Sequence, residues 1–334
     1  MSDFYRGRHI LVTGGTGSIG SEIVKQLLTM GPAVVRIFSR DETRQYEMQQ
    51  ELGERQDVRW LIGDIRDERR LKRAMDGIDM VFHAAALKHV PSCEYNPFEA
   101  VRTNVQGTQN VINAALDAKV ERVVAISTDK AVNPINVMGA TKLLAEKLMV
   151  TANNWIREVR FCCVRFGNVL GTRGSVVPTW TRQIEAGGPV TLTHPQNSRF
   201  MMSVAAAIEL CLEAGEACQG GEIFILKMPA LVMGDLVEVM IEEVAPRFGQ
   251  DPDNIVRKSI PQRPGEKMKE RLLDEDECCR AQELERMLVV PPYRARPWEH
   301  PPGKSLPAGL YDSDEADWLD RDAIRELLRD AGCL

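Results

Sequence analysis

The feature that most restricts this chain's fold lies near its N-terminus, where the apolar run His9-Ile10-Leu11-Val12-Thr13 breaks into Gly14-Gly15-Thr16-Gly17-Ser18-Ile19-Gly20. Beyond it, apolar residues recur at helical spacing through residues 18–30. A short buried strand, a glycine turn and an amphipathic helix in direct succession open a parallel β-α-β unit. Gly14, Gly17 and Gly20 stand in a G-x-x-G-x-x-G pattern rather than the plainer G-x-G-x-x-G. Glycine permits the tight turn and lets backbone approach a pyrophosphate, whose charge then meets the helix N-terminus. A glycine-rich turn alone says little; its place between strand and helix makes it a dinucleotide-binding signal.

The alternation continues. Strands are expected over residues 34–39, 58–62, 80–84 and 123–127, with helices over 41–52, 68–75 and 97–118 between them. This spacing predicts an α/β fold, a doubly wound parallel (Rossmann) sheet covered on both faces, with ligands at the carboxyl ends of the strands. After about residue 165 the pattern loosens, with Pro and Gly at Gly187-Gly188-Pro189, His194-Pro195 and from Pro261 to Gly265. Helices recur over 204–214 and 233–244, the proline-rich residues 291–306 read as an extended arm, and 312–331 read as one or two amphipathic helices. The expected division is a dinucleotide-binding domain over 1–165, completed by about 200–226, a smaller C-terminal substrate-binding domain from 166–199 and 227–295, and a C-terminal arm and helix over 296–334.

The 334 residues suffice for one large or two modest domains with a proper core. Lys and Arg total 42 against 48 Asp and Glu, a net charge of −6 that argues against nucleic acid or an anionic membrane as partner. No stretch approaches the roughly 18 uninterrupted apolar residues of a membrane span, and the first residues lack the apolar run of a signal peptide; a cytoplasmic protein is expected. The eight cysteines include the vicinal pairs Cys162-Cys163 and Cys278-Cys279 but no CxxC, and the five histidines are scattered. No metal site is expected, and the thiols read as reduced and mostly buried.

The second expected strand ends in Phe38-Ser39-Arg40-Asp41. In NAD sites an acidic residue at this strand end binds the ribose 2′-hydroxyl. Here Ser39 and Arg40 come first and Arg44 follows, which suits a 2′-phosphate and favours NADP, with NAD as the alternative. Asp41 reads either as a ligand or as a helix N-cap. Asp64-Ile65, after the third strand, is placed to meet the adenine edge, and Ala84-Ala85-Ala86, after the fourth, offers a small-residue surface to the nicotinamide. Ordinary turn and packing roles are the competing reading for both.

The fifth strand runs into Ser127-Thr128-Asp129-Lys130, and Asn136-Val137-Met138-Gly139-Ala140-Thr141-Lys142 opens a later helix. With the glycine loop and residues 103–110 (TNVQGTQN), these resemble the extended short-chain dehydrogenase/reductase superfamily. The strings SRDETRQYEM, AAALKHVPSCEYNPFEA, STDKAVNPINVMGATK, RFGNVLGTRGSVVPTW, SRFMMSV and RPGEKMKE are similar to the bacterial UDP-N-acetylglucosamine 4,6-dehydratases of polysaccharide and glycan biosynthesis, over nearly the whole chain. The resemblance implies a lyase that oxidises C4, loses water across C5–C6 and returns hydride to C6, with a tightly bound NADP recycled in each turnover. Such a reaction needs an acid for the departing C6 hydroxyl and a base for the C5 proton, on one rigid turn. The family places Asp129 as the acid and Lys130, as a neutral amine, as the base, which asks that burial or nearby cations lower the lysine's pKa. Thr128 would hydrogen-bond the reacting C4 oxygen. To the cofactor site the resemblance adds Thr16, Ser18, Ile19, Lys88, Asn104 and Lys142.

One position departs from the superfamily. Its Tyr-x-x-x-Lys carries Met138 in place of the tyrosine, while Lys142 remains. A thioether cannot accept the C4 hydroxyl proton, so Thr128, or water ordered by Thr128 and Lys142, is expected to relay it. Methionine here is similar to the retaining, membrane-attached dehydratases, which points to retained C5 configuration. The short form lacks their membrane-spanning region and is expected to act as a soluble enzyme.

For the substrate, Lys88 and Asn168 resemble family contacts to sugar and diphosphate, and Thr191, Thr193 and Arg199 the nucleotide-proximal part. Arg263 is a second diphosphate candidate, since a guanidinium fork matches two phosphate oxygens. Val176, Met202 and Glu266 complete the expected wall. The expected partner is a UDP-N-acetylhexosamine, and superfamily dimers built on helices near 97–118 and 141–154 imply a homo-oligomer. A UDP-sugar 4-epimerase or reductase, or a non-catalytic dinucleotide-binding protein, are the alternatives. The Asp129–Lys130 pair discriminates, because 4-epimerisation needs neither an acid for C6 nor a base for C5.

Overall fold

The computed structural model describes residues 3–155, 158–262, 264–293, 304–306 and 311–334. Its strands are β1 (His9–Thr13), β2 (Val34–Ser39), β3 (Val58–Ile62), β4 (Met80–His83), β5 (Arg122–Ile126), β6 (Arg160–Arg165), β7 (Asn168–Val169), β8 (Val190–Leu192), β9 (Ser198–Met202), β10 (Ile223–Leu226), β11 (Ala230–Val232), β12 (Arg257–Ser259), β13 (Gln282–Glu283), β14 (Met287–Val290) and β15 (Lys304–Ser305). The α-helices are α1 (Ser18–Thr29), α2 (Glu42–Leu52), α3 (Glu68–Met75), α4 (Val90–Tyr95), α5 (Pro97–Ala100), α6 (Gly107–Ala118), α7 (Val137–Ala152), α8 (Val176–Glu185), α9 (Val204–Ala217), α10 (Met233–Val244), α11 (Glu275–Arg280) and α12 (Arg321–Asp330).

Seven parallel strands run in the order 3-2-1-4-5-6-10. β1, β4 and β6 are apolar almost throughout, as strands covered on both faces must be. The winding reverses between β1 and β4, where Thr13 stands opposite His83. That switch point leaves a crevice at the carboxyl ends of the strands. The sheet also takes in β14 and β13, antiparallel, from a stretch assigned on sequence to the substrate-binding part, and β15 from the expected arm. Most of the remaining arm lies outside the described residues.

Two small sheets, β11-β9-β7 and β12-β8, build the second lobe with α8, α10 and α12. Its core holds Trp180, Ile184, Leu236 and Met240, onto which α12 lays Ile324 and Leu328. Of the helical stretch expected over 312–331, only α12 is helical, starting at its Asp320 cap. Upstream, Asp312 is buried by ion pairs to Arg271 and Lys269, which hold that segment without a helix.

The single helix expected over 97–118 is instead α5, a π-helical stretch at Val101–Gln106, and α6. The wide turn lets Asn104 reach back to Leu87, and Gly107 presses on Ile65, where a Cβ would stand 2.6 Å from Cδ1. No described helix is long and apolar enough to cross a membrane. All eight cysteines are free, six of them buried.

Candidate active site

The glycine loop joins β1 to α1 at the switch point. Gly14 adopts φ +66°, and a Cβ there would lie 2.7 Å from the Ala85 amide nitrogen. A Cβ on Gly20 would lie 2.3 Å from the Gly14 carbonyl oxygen. These contacts seat the turn against the end of β4. Gly17 caps α1 without a side-chain bond, so the first amides of the helix, at Ser18 and Ile19, stay free of side-chain capping and suit an anion.

At the end of β2, Ser39 shares a 2.8 Å hydrogen bond with Thr16. Asp41 is the N-cap of α2, accepting from the Arg44 amide, and its carboxylate also meets the Arg44 guanidinium at 3.2 Å. Arg40 and Arg44 are exposed. Asp64 is held by Arg66 at 2.7 Å; burial alone would raise its carboxyl, but the guanidinium keeps it below the ordinary value. Ile65 packs into the main core. Ala84, Ala85 and Ala86 line the end of β4 as expected of a small-residue surface, with Ala86 exposed. Asn104 is buried, and its amide bridges Leu87 and Thr141, so it braces the β4 loop against α7.

The turn after β5 carries the reaction-centre candidates. Thr128 caps a short 3-10 turn at Asp129–Ala131 and donates to Asp129 Oδ1 at 2.8 Å. Asp129 is fully buried, and its Oδ2 has no hydrogen-bond partner among the described residues. Lys130 Nζ lies 3.0 Å from Asp129 Oδ1, 3.4 Å from Asn168 Oδ1 and 3.4 Å from Glu270 Oε1. Burial would lower this amine, yet the two carboxylates outweigh it and Arg199, and the net shift is upward. A base role needs a lowered Lys130 amine; here its surroundings favour the ammonium instead, because it sits between Asp129 and Glu270. Lys142 donates to the Ile126 carbonyl, and burial lowers its amine. Met138 is buried beside Cys93 and Ala100, with Leu87, Val90 and Val137 around them.

Of these groups Lys130, Asn168 and Glu270 line a cavity of about 350 Å³, a volume suited to a small-molecule ligand, and Asp129 is buried behind Lys130. Lys88, Asn168, Val176, Thr191, Thr193, Arg199 and Glu266 all line it. Withdrawal from water and the nearby Arg173 lower the Lys88 amine. Gln183 meets Thr191 through both backbone and hydroxyl, and Thr193 donates to Glu266 at 2.7 Å. Arg199 is less available than expected of a diphosphate contact: its two terminal nitrogens donate to the carbonyls of Ser198, Lys267 and Met268. Met202 is corrected. It points into the main core, while Met201, one residue back on β9, lines the cavity, as alternation on a strand requires. Arg263 lies outside the described residues.

Two contributors escaped the sequence reading. Glu270 sits in a charge-dense loop that looks like any solvated surface run. Arg173 bridges the two lobes, its amide on Ser18 Oγ at 3.2 Å and its guanidinium on the Thr16 carbonyl. Its neighbours Gly174 and Ser175 line the cavity, so one segment touches both the glycine loop and the substrate side.

Residues 10–292 match the polysaccharide biosynthesis protein family. The chain belongs to it. This family's match covers the parallel sheet from Ile10 onward and the cavity, and stops before α12. A protein of Methanocaldococcus jannaschii named an uncharacterized membrane protein is 52% identical over 100% of this chain and 99% of that one. A Campylobacter jejuni protein named UDP-N-acetylglucosamine 4,6-dehydratase (inverting) is 41% identical over 86% of this chain and 84% of its own. A Rickettsia conorii protein named UDP-glucose 4-epimerase is also 41% identical, over 84% and 82%. Among solved structures, Pen from Bacillus thuringiensis aligns with a TM-score of 0.94 at 45% identity, covering 99% of both chains. DesIV, a dTDP-glucose 4,6-dehydratase from Streptomyces venezuelae solved with NAD, aligns at 0.68 and 25% identity, over 78% and 86%.

Proposed function

We propose that this member of the polysaccharide biosynthesis family is a nucleotide-sugar 4,6-dehydratase acting on UDP-N-acetylglucosamine. The observation that carries the reading is the 3.0 Å contact between Lys130, which lines the cavity, and the buried Asp129 on the same turn. An epimerase has no use for this pair, so the epimerase reading, to which the Rickettsia name lends weight, ranks second. The Campylobacter dehydratase name supports the same choice.

A nicotinamide dinucleotide, bound across the glycine loop and the ends of β2 to β4, would supply oxidation at C4 and reduction at C6. The protein's own part is proton transfer. Asp129, as the carboxylic acid, gives its proton to the C6 oxygen as the C6–O bond breaks. Lys130, as the amine, takes the C5 proton, and the C–H electron pair becomes the C5=C6 bond. The products of this step are a carboxylate, an ammonium and water. When C6 is reduced, the Lys130 ammonium returns its proton to C5, and the proton lost by the C4 hydroxyl replaces it on the pair, whose resting tautomer is the ion pair between Asp129 and Lys130. Thr128 orients Asp129, and Lys142 with its lowered amine can order a water for the C4 hydroxyl proton.

We read the cofactor as NADP. Asp41 spends its carboxylate on capping α2 and on Arg44, which leaves Arg40 and Arg44 as the exposed charges at the β2 end. Retained C5 configuration is the reading that Met138 supports, although the Campylobacter relative is named inverting. The exposed Tyr95, Phe98 and Leu144, on α4, α5 and α7, support a homo-oligomer through these helices.

Mass spectrometry of the purified protein with UDP-N-acetylglucosamine tests the reading. A product lighter by one water is expected, NMR of it assigns C5, and the dinucleotide released on denaturation identifies the cofactor. An unchanged mass with this and other nucleotide sugars overturns the proposal, and a C4 epimer of unchanged mass moves it to the epimerase.

A further inference from the structure

We propose that Glu270 is a positioning residue for the elimination: it holds the Lys130 amine between two carboxyl groups and frees it for base work only while Glu270 itself carries a proton. The inference rests on the dehydratase reading above.

Glu270 is 3% exposed. Its Oε1 lies 3.4 Å from Lys130 Nζ and 4.0 Å from Arg199 Nε, and its Oε2 is buried with no hydrogen-bond partner among the described residues. The backbone beneath is clamped. Its amide donates to Ser313 Oγ at 3.0 Å, its carbonyl accepts from the Ser313 amide at 2.9 Å, and that hydroxyl meets Ser198 Oγ at 2.7 Å. The charged groups facing it are Lys130 and Asp129 from the turn after β5, Arg199 from β9, and Lys267 from its own loop.

The proton count explains why a third acid matters. The reactive pair is carboxylic acid plus amine, the resting pair carboxylate plus ammonium, and they differ by one transfer across 3.0 Å. A carboxylate at Glu270 attracts the ammonium and disfavours the reactive tautomer. A protonated Glu270 removes that attraction, while Arg199 and Lys267 remain to oppose a charge on Lys130. Burial, aided by Asp129, pushes the Glu270 carboxyl above its ordinary value against the pull of Lys130, so the proton stays on to higher pH than on a solvated glutamate. Glu270 neither gains nor loses a proton over the turnover.

The test compares wild type, Glu270→Gln and Glu270→Asp as full-length protein with its co-purified cofactor. Glutamine is a permanently neutral isostere. In wild type the rate of water loss from UDP-N-acetylglucosamine is expected to fall about tenfold per pH unit above the Glu270 pKa. In Glu270→Gln that fall is absent, and the rate at the acid end stays within about threefold of wild type. Glu270→Asp keeps a fall, displaced along the pH axis.

A second readout needs no substrate. A carboxyl raised by folding contributes stability that is present below its unfolded pKa and lost as pH rises through the folded one. The melting temperature of Glu270→Gln relative to wild type should therefore climb with pH across that window. Three outcomes overturn the proposal: a fall at the same pH in all three proteins, loss of water elimination at every pH in a folded Glu270→Gln, or a melting difference flat in pH. Wild-type protein that removes water from no nucleotide sugar instead overturns the dehydratase reading, and the two failures are told apart by that control.

Discussion

Lys130 Nζ and Asp129 Oδ1 stand 3.0 Å apart on a single turn, and the other carboxylate oxygen of Asp129 is buried with no hydrogen-bond partner among the described residues. A carboxylate oxygen one residue from a cavity-lining amine is close to where a ligand would bind. It is suited to meet a hydroxyl brought in by a ligand. Asp129→Asn keeps the shape and removes the transferable proton. Water loss should fall by about 10²- to 10⁴-fold, while substrate still reduces the bound nicotinamide, seen as its absorbance change. Water loss within tenfold of wild type would remove Asp129 from the acid role.

Arg165 is buried between Glu146 on α7 and Glu277 on α11, with both carboxylates at 2.7 Å, and also holds the Leu272 carbonyl. It ties the helix that carries Met138 and Lys142 to the loop that carries Glu270. Arg165→Met leaves two carboxylates facing each other without their cation. The expected loss is about 3–5 kcal/mol in denaturant unfolding. Two further changes, Glu146→Gln and Glu277→Gln, added to Arg165→Met should restore most of it. A single variant as stable as wild type would show that the triad contributes little.

The parallel sheet was legible because each early strand is a short apolar run closed by glycine or charge, and the glycine loop names its own neighbours. The π-helical break between α5 and α6 was not: nothing in residues 101–106 signals it, and Gly107, which follows, packs on Ile65, remote in sequence. Asn104 illustrates the same limit: its type suits a cofactor contact, and its partners Leu87 and Thr141 appear only when α6 and α7 pack together. Glu270 was invisible for a stronger reason. Residues 266–271 read as solvated charge, and the burial comes from Ser313, folded back from 43 residues away. Arg199 looked like a free guanidinium because nothing in its own segment announces the carbonyls of Lys267 and Met268.

Met138 tests the departure from the superfamily tyrosine directly. It is 3% exposed and packed on Cys93 and Ala100. Tyrosine there brings extra volume and a hydroxyl into an apolar cluster. Met138→Tyr is expected to cost about 1–3 kcal/mol, read as a lower melting temperature, with turnover equal to wild type or below. A tenfold gain in turnover would mean that methionine is a loss at this position rather than a fit.

His83 sets part of the acid limit. Its Nδ1 lies 2.7 Å from Thr13 Oγ1 and its Nε2 3.2 Å from Thr108 Oγ1. The Thr108 hydroxyl donates to the Asn104 carbonyl, so it accepts from Nε2–H, and Nδ1 is left as the acceptor for Thr13. A second proton would meet the Thr13 hydroxyl in a buried site. Burial, with Lys142 adding to it, lowers this imidazole to about 3. A group depressed by folding contributes stability above its unfolded pKa that is lost as pH falls toward the folded one. Between an unfolded value near 6.5 and about 4.5, above most carboxylate titrations, wild type should lose up to about 1.4 kcal/mol per pH unit from this group. His83→Gln, which cannot take the proton, should show a shallower acid slope in urea unfolding across that range. Parallel slopes would mean that His83 is protonated in the folded protein with no penalty, and that its hydroxyl partners do not hold it neutral.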